Sequence, residues 1–164
     1  MDTWTKRGGA NGSPDTGRPL DAAHARDGEA GRVLIVDDDA PVRLVCAVNL
    51  EAEGLHVLEA ADGLAALEQA RRERPDLVLT DVTMPGLDGF QLAERLRADE
   101  RTRGIPVIFL SGEVGQANAQ RARALGAVAY LAKPFDPSAL AAFVAHELVA
   151  ARAGPAELMA SVAS

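Results

Sequence analysis

The sequence predicts an α/β protein: a doubly wound parallel sheet of five strands with five helices. Three observations carry that prediction. Five short runs between Arg32 and Ala150 are β-branched or aliphatic and apolar on both faces, as strands covered by helices on both sides are. Segments with helical spacing of apolar residues separate the runs. The two alternate strictly, which favours right-handed crossovers between parallel strands.

The first run, Val33-Leu34-Ile35-Val36, ends in Asp37-Asp38-Asp39. Asp39 is expected to cap a helix with Pro41 in its opening turn and Val42, Val45, Cys46 and Leu50 on its inner face. Gly54 stops that helix. His56-Val57-Leu58 is the second run, and Asp62 caps a second helix with Leu64 and Leu67 inward. Leu77-Val78-Leu79 leads into Thr80-Asp81 and the turn Met84-Pro85-Gly86-Leu87-Asp88-Gly89, after which Phe90, Leu92 and Leu96 mark a third helix. Val107-Ile108-Phe109-Leu110 ends in Ser111. Val114, Ala117 and Leu125 belong to a fourth helix with a thin apolar face. Val128-Ala129-Tyr130-Leu131 runs into Lys133-Pro134-Phe135, and Leu140, Phe143, Val144 and Leu148 give a fifth helix its stripe.

Composition bounds what such a chain does. Its 164 residues carry 17 Lys and Arg against 24 Asp and Glu, a net charge of −7, which argues against direct binding of DNA. No apolar run approaches the ~20 residues that span a bilayer. The lone cysteine, Cys46, excludes an internal disulfide and suits a reducing, cytoplasmic setting. Residues 1–31, rich in glycine and poor in bulky apolar groups, read as a disordered tail. Residues 32–150 form the folded domain, and residues 151–164 form a short Ala-rich tail that extends the last helix weakly or frays. His24, His56 and His146 are scattered and form no ligand cluster.

In a doubly wound sheet, ligands bind beyond the carboxyl ends of the strands. Four of those ends deliver Asp37-Asp38-Asp39, Asp81, Ser111 and Lys133 to one rim. Taken singly, each has an ordinary explanation as a helix cap, a turn former, a loop start or a strand stop. Together they do not, because crowded carboxylates need compensating positive charge. A hard divalent cation such as Mg²⁺, taking one or two carboxylates plus water, suits the cluster. Lys133 adds an ammonium; it is one of two lysines, the other being Lys6, against fifteen arginines.

The motifs Val33–Asp39, Leu79–Gly89, Ile108–Gly112 and Tyr130–Phe135, in this order, resemble the receiver domain of two-component response regulators. That resemblance implies a flavodoxin-like fold with strand order 2-1-3-4-5. It implies Asp81 as phosphoacceptor, with Asp37, Asp38, Asp81 and the Thr83 backbone carbonyl holding Mg²⁺. It also implies Lys133 as a phosphate contact, Ser111 as the hydroxyl that moves to the phosphoryl group, Tyr130 as an aromatic switch, and a cis bond before Pro134. The implied partners are a sensor histidine kinase or phosphotransfer protein and a downstream protein target. The output would be a shift in the surface of the fourth helix, fifth strand and fifth helix. No catalysis is implied beyond the chain's own phosphoryl transfer and autodephosphorylation.

Two rival readings compete with this one. A haloacid-dehalogenase-like phosphatase would use Asp37-x-Asp39, but it lacks its later acidic pair and leaves Asp81 without a part. A pseudo-receiver would not retain Asp37, Asp38, Asp81, Ser111 and Lys133 together. A nucleotide-binding Rossmann domain is excluded because no Gly-rich loop follows the first strand. On the fifth helix, Ala139, Ala142 and Ala145 form a face that could support a weak homodimer, although Ala is also simply a good helix former.

Overall fold

The structure, a computed structural model, describes residues 30–113 and 115–163, those beyond 151 by their backbone alone. Residues 1–29 of the expected tail, and Val114, lie outside the described residues. The elements are β1 (Arg32–Val36), α1 (Ala40–Ala52), β2 (His56–Ala60), α2 (Gly63–Glu73), β3 (Leu77–Asp81), α3 (Gly89–Ala98), β4 (Val107–Ser111), α4 (Gln116–Ala124), β5 (Ala129–Ala132) and α5 (Pro137–Ala163). All strand pairs are parallel, in the order β2-β1-β3-β4-β5. The predicted fold class and strand order are therefore found.

Strand alternation sorts the core into two halves. Val33, Ile35, Leu77, Leu79, Ile108 and Leu110 pack on one face with Cys46 and Leu50 of α1 and Leu140, Val144 and Leu148 of α5. Leu34, Val36, Val78, Val107 and Phe109 point to the other face, toward Leu67 of α2, Leu92 and Leu96 of α3 and Ala122 of α4. The central strands β3 and β4 are buried along their whole length. The edge strands are not: β2 and β5 are mostly half-buried.

The helix boundaries follow from local chemistry. Helix α1 ends in a closed motif: Gly54, at φ +88°, donates its N–H to the Glu51 carbonyl at 2.9 Å, and Leu55 donates to the Leu50 carbonyl at 3.2 Å. Only a residue without Cβ adopts that backbone cheaply. Asp62 caps α2 by accepting from the Ala65 N–H at 2.8 Å. Asp88 and Gln91 cap α3 reciprocally, a capping box with glutamine in the second role.

Several expectations need correction. Asp39 occupies the N-cap position of α1, but its side chain makes no capping hydrogen bond. Val45 and Leu64, expected inward, are 43% and 62% exposed; α1 and α2 each bury a narrower stripe, and Ala47 and Ala66 take the inner positions instead. In α4 the buried residue is Ala122 and Ala117 is exposed, while Leu125, at the C-cap, packs against the core as expected. Val128 precedes β5 and is exposed. The fifth helix runs on through the Ala-rich tail to Ala163, the first of the two alternatives expected for that segment. Of its alanine face, Ala139 and Ala142 are exposed, while Ala145 packs against the core.

His56, at the start of the edge strand β2, gives the fold a pH signature. Burial, reinforced by the nearby Arg32 cation and opposed by Glu73, lowers its pKa from 6.5 to about 4. The unfolded chain therefore takes up a proton at a pH where the folded chain does not, and stability falls as pH drops from 6.5 toward 4. We expect His56→Gln to lose less melting temperature than the wild type between pH 7.5 and pH 5. Equal losses in the two proteins would contradict this account.

Candidate functional site

Parity along the strands explains why the polar groups meet. Asp37 follows Val33 and Ile35, Asp81 follows Leu77 and Leu79, and Lys133 follows Ala129 and Leu131, all on the face that α1 and α5 cover. Register keeps the exits level, with Val36 opposite Thr80 and Asp81 opposite Leu110. Side chains that continue these three rows converge where the helices begin.

Asp37 and Asp81 are buried, at 1% and 7% exposure, and Asp38 is exposed. One carboxylate oxygen from each lies within 4.8 Å of the others. Lys133 reaches between the buried pair, with Nζ 3.0 Å from Asp37 Oδ2 and 3.4 Å from Asp81 Oδ1. The bond from Lys133 to Pro134 is cis. Burial and the neighbouring charge of Asp37 push the Asp81 carboxyl above its ordinary range, against the pull of Lys133. Burial disfavours the Lys133 ammonium, yet its hydrogen bond and attraction to Asp37 and then Asp81 leave it raised overall. One ammonium therefore leaves the cluster short of positive charge. Three carboxylates of hard oxygen, one of them open to solvent, fit a magnesium ion that keeps several waters. Thr83 is exposed in the loop after β3, two residues past Asp81.

Ser111 and Tyr130 lie on the other side of the sheet. Ser111 continues the row of Val107 and Phe109, and Tyr130 packs against the half-core beneath α2, α3 and α4. The Ser111 hydroxyl accepts from the Glu113 N–H at 3.0 Å and donates to the Glu113 carbonyl at 3.1 Å. The Tyr130 hydroxyl donates to the same carbonyl. The strand exits place Ser111 at this edge and the resemblance implies a part for Tyr130, but neither identifies Glu113 as the group they share. Helix α4, which follows Glu113 in the chain, is tied to α3 by Arg121, whose guanidinium sits 4.6 Å above the Phe90 ring centroid.

Gly89 also shapes the site, and sequence reasoning gave it no role beyond the end of a turn. Gly89 opens α3 directly against the strand that carries Asp81. A Cβ there would lie 2.2 Å from the Asp81 carbonyl oxygen and 2.9 Å from Val82 Cα. We expect Gly89→Ala to lower stability by about 1–3 kcal/mol in urea denaturation, because backbone must move to admit the methyl group. Gly104→Ala, where a Cβ meets nothing within 4 Å, should change it by less than about 0.5 kcal/mol. Similar losses in both variants would count against the close approach.

Comparisons with known proteins agree with this geometry. The chain is 39% identical over 130 residues to the phosphate regulon transcriptional regulatory protein PhoB of Pseudomonas aeruginosa, covering 79% of this chain and 56% of that one. It is 43% identical over 110 residues to the transcriptional regulatory protein CseB of Streptomyces coelicolor, covering 67% and 46%. The chain thus spans about half the length of these curated relatives. Among solved structures, the Vibrio cholerae chemotaxis protein CheY4 superposes with a TM-score of 0.67 at 32% identity, covering 71% of this chain and 98% of that one. The receiver domain of the Francisella response regulator 1452 gives 0.69 at 30%, covering 74% and 98%. The phosphatase alternative gave Asp81 no part, whereas Asp81 lies inside the acidic group. Residues 33–145 match the family model of the response regulator receiver domain, and with the fold and acidic lip already described, the chain belongs to that family.

Proposed function

We propose that this chain accepts a phosphoryl group on Asp81 from the phosphohistidine of a sensor histidine kinase or phosphotransfer protein. The observation that carries the reading is Lys133 Nζ lodged between the buried carboxylates of Asp37 and Asp81. An Asp81 oxygen attacks phosphorus, the P–N bond breaks, and the histidine nitrogen leaves with its electron pair. Mg²⁺, when bound, supplies charge neutralisation to the transferring oxygens. The carboxylates of Asp37, Asp38 and Asp81 and the Thr83 backbone carbonyl would hold it. Lys133 donates to a phosphoryl oxygen, so the chain's own contribution is positioning and fixed positive charge. This catalysis extends only to the chain's own phosphoryl gain and hydrolytic loss.

The signal follows from the shared carbonyl. A phosphoryl group on Asp81 offers Ser111 a charged acceptor, and turning toward it breaks the hydroxyl's bond to the Glu113 carbonyl. The loop then draws inward, Tyr130 follows, and α4 shifts. Only Ala122 of α4 is buried, so that shift disturbs little packing. The α4-β5-α5 surface changes population between two shapes and is read by a downstream protein target. The net charge of −7 favours a protein over direct DNA contact. The exchange is cytoplasmic and involves no membrane; among the described residues no helix is long and apolar enough to cross one. A weak homodimer through the exposed Ala139 and Ala142 would be detected by light scattering with and without a phosphate mimic.

The test is intact-mass measurement after incubation with acetyl phosphate. The reading expects a gain of one phosphoryl group with Mg²⁺ and none with chelator. Unchanged mass in both, with the protein folded, would overturn it.

A further inference from the structure

The turn carrying Asp37, Asp38 and Asp39 enters α1 without a side-chain cap, and Arg43, one turn into the helix, holds it instead. Arg43 Nη1 donates to the Asp37 main-chain carbonyl at 2.7 Å, and Arg43 Nε pairs with Glu59 Oε1 of β2 at 3.2 Å. The Arg43 side chain is 18% exposed. With this contact every polar atom of Asp37 is tethered. Its N–H donates to the Ala60 carbonyl at 3.2 Å, Oδ1 accepts from the Asp39 N–H at 2.9 Å, and Oδ2 accepts from Lys133.

The placement is costly, which makes it informative. A cation in the first turn of a helix opposes the helix dipole. A guanidinium beside a cation site also repels the ion that site would bind. Charge alone therefore gives no reason for an arginine here, whereas geometry does: a planar fork spans a carbonyl at the end of β1 and a carboxylate on β2.

We infer that Arg43 is a positioning residue for the metal centre. It fixes the acidic turn so that Asp37 and Asp38 present oxygens beside Asp81, and Glu59 holds the guanidinium on its carbonyl. The inference rests on the magnesium reading above. Residues that orient metal ligands from behind change metal affinity by about 10- to 100-fold when removed.

Isothermal titration of the full chain with magnesium chloride tests it, because the two physical effects have opposite signs. Positioning predicts that Arg43→Ala binds Mg²⁺ at least about tenfold more weakly. Electrostatics alone predicts tighter binding, since a repelling cation has gone. Arg43→Met keeps the aliphatic stem if the alanine variant does not fold, and circular dichroism confirms folding before each titration. Glu59→Gln should weaken binding in the wild type and add nothing in the Arg43→Met background, as expected for residues acting through one contact. Equal or tighter binding in folded Arg43→Met, or an additive Glu59→Gln effect, overturns the inference and leaves the functional reading standing. A wild-type chain that takes up no Mg²⁺ overturns both.

Discussion

Asp81→Asn is expected to abolish phosphoryl uptake and, in magnesium-free buffer, to melt several degrees above the wild type. The first effect is chemical. The amide that replaces the carboxylate is neutral and a poor nucleophile toward phosphorus, and no acyl phosphate forms. The second is electrostatic. Burial and Asp37 hold the Asp81 carboxyl above its ordinary range, so its charged form is a liability in the folded state. A neutral side chain of the same shape removes the repulsion with Asp37 and Asp38. The Mg²⁺ response should shrink with it, because an ion that binds only the folded state stabilises it by more the tighter it binds. Calorimetric melts with and without Mg²⁺, beside intact-mass measurement with acetyl phosphate, check the three results together. A variant that melts below the wild type in chelator would show that the acidic group is not under charge stress.

Lys133→Met should move stability the other way. The substitution leaves Asp37, 1% exposed, and Asp81, 7% exposed, without their common cation. Breaking a buried pair costs about 3–5 kcal/mol. The Lys133 side chain is 23% exposed, so water screens part of that and the low end of the range is expected. The deficit should be largest in chelator and smaller with Mg²⁺, which supplies the missing charge. It should also shrink as pH falls from neutral toward the ordinary carboxylate range, because folding raises the Asp81 carboxyl. A carboxyl whose pKa is raised by folding takes up its proton before the unfolded chain does, and that uptake favours the folded state. Phosphoryl transfer from acetyl phosphate should slow by about 10²-fold, the usual cost of removing one charge-stabilising donor. Urea denaturation at two pH values, with and without Mg²⁺, measures the stability terms. A loss independent of both Mg²⁺ and pH would mean that Lys133 contributes packing rather than charge.

The site was legible because it lies where strands end. Asp37, Asp81 and Lys133 each leave a strand at one rim, so naming the strands located the edge where they meet, and the period-two rows they continue set their common face in the structure. Helix faces were less legible. Val45 and Leu64 fit the helical spacing of an inner stripe yet remain exposed, because spacing sets direction while the neighbouring layer decides how wide a stripe is covered. Asp39 looked like a cap, and its position is right; the turn is held instead by Arg43, which reaches back to the Asp37 carbonyl and is braced by Glu59 of β2, a contact that no capping pattern encodes. Gly89 was visible only as the end of a turn, since its need for a missing Cβ arises from a backbone eight residues earlier. The meeting of Ser111 and Tyr130 on the Glu113 carbonyl depends on a loop conformation that side-chain types do not specify.

The most direct test identifies the modified residue. The chain would be phosphorylated with acetyl phosphate and Mg²⁺ and reduced with borohydride, which converts an aspartyl phosphate to the corresponding alcohol. Peptide mass spectrometry then reads the site. The account predicts conversion at Asp81 and nowhere else in the acidic group. Label on Asp37 or Asp38, or a borohydride-resistant phosphate ester on Ser111, would contradict it.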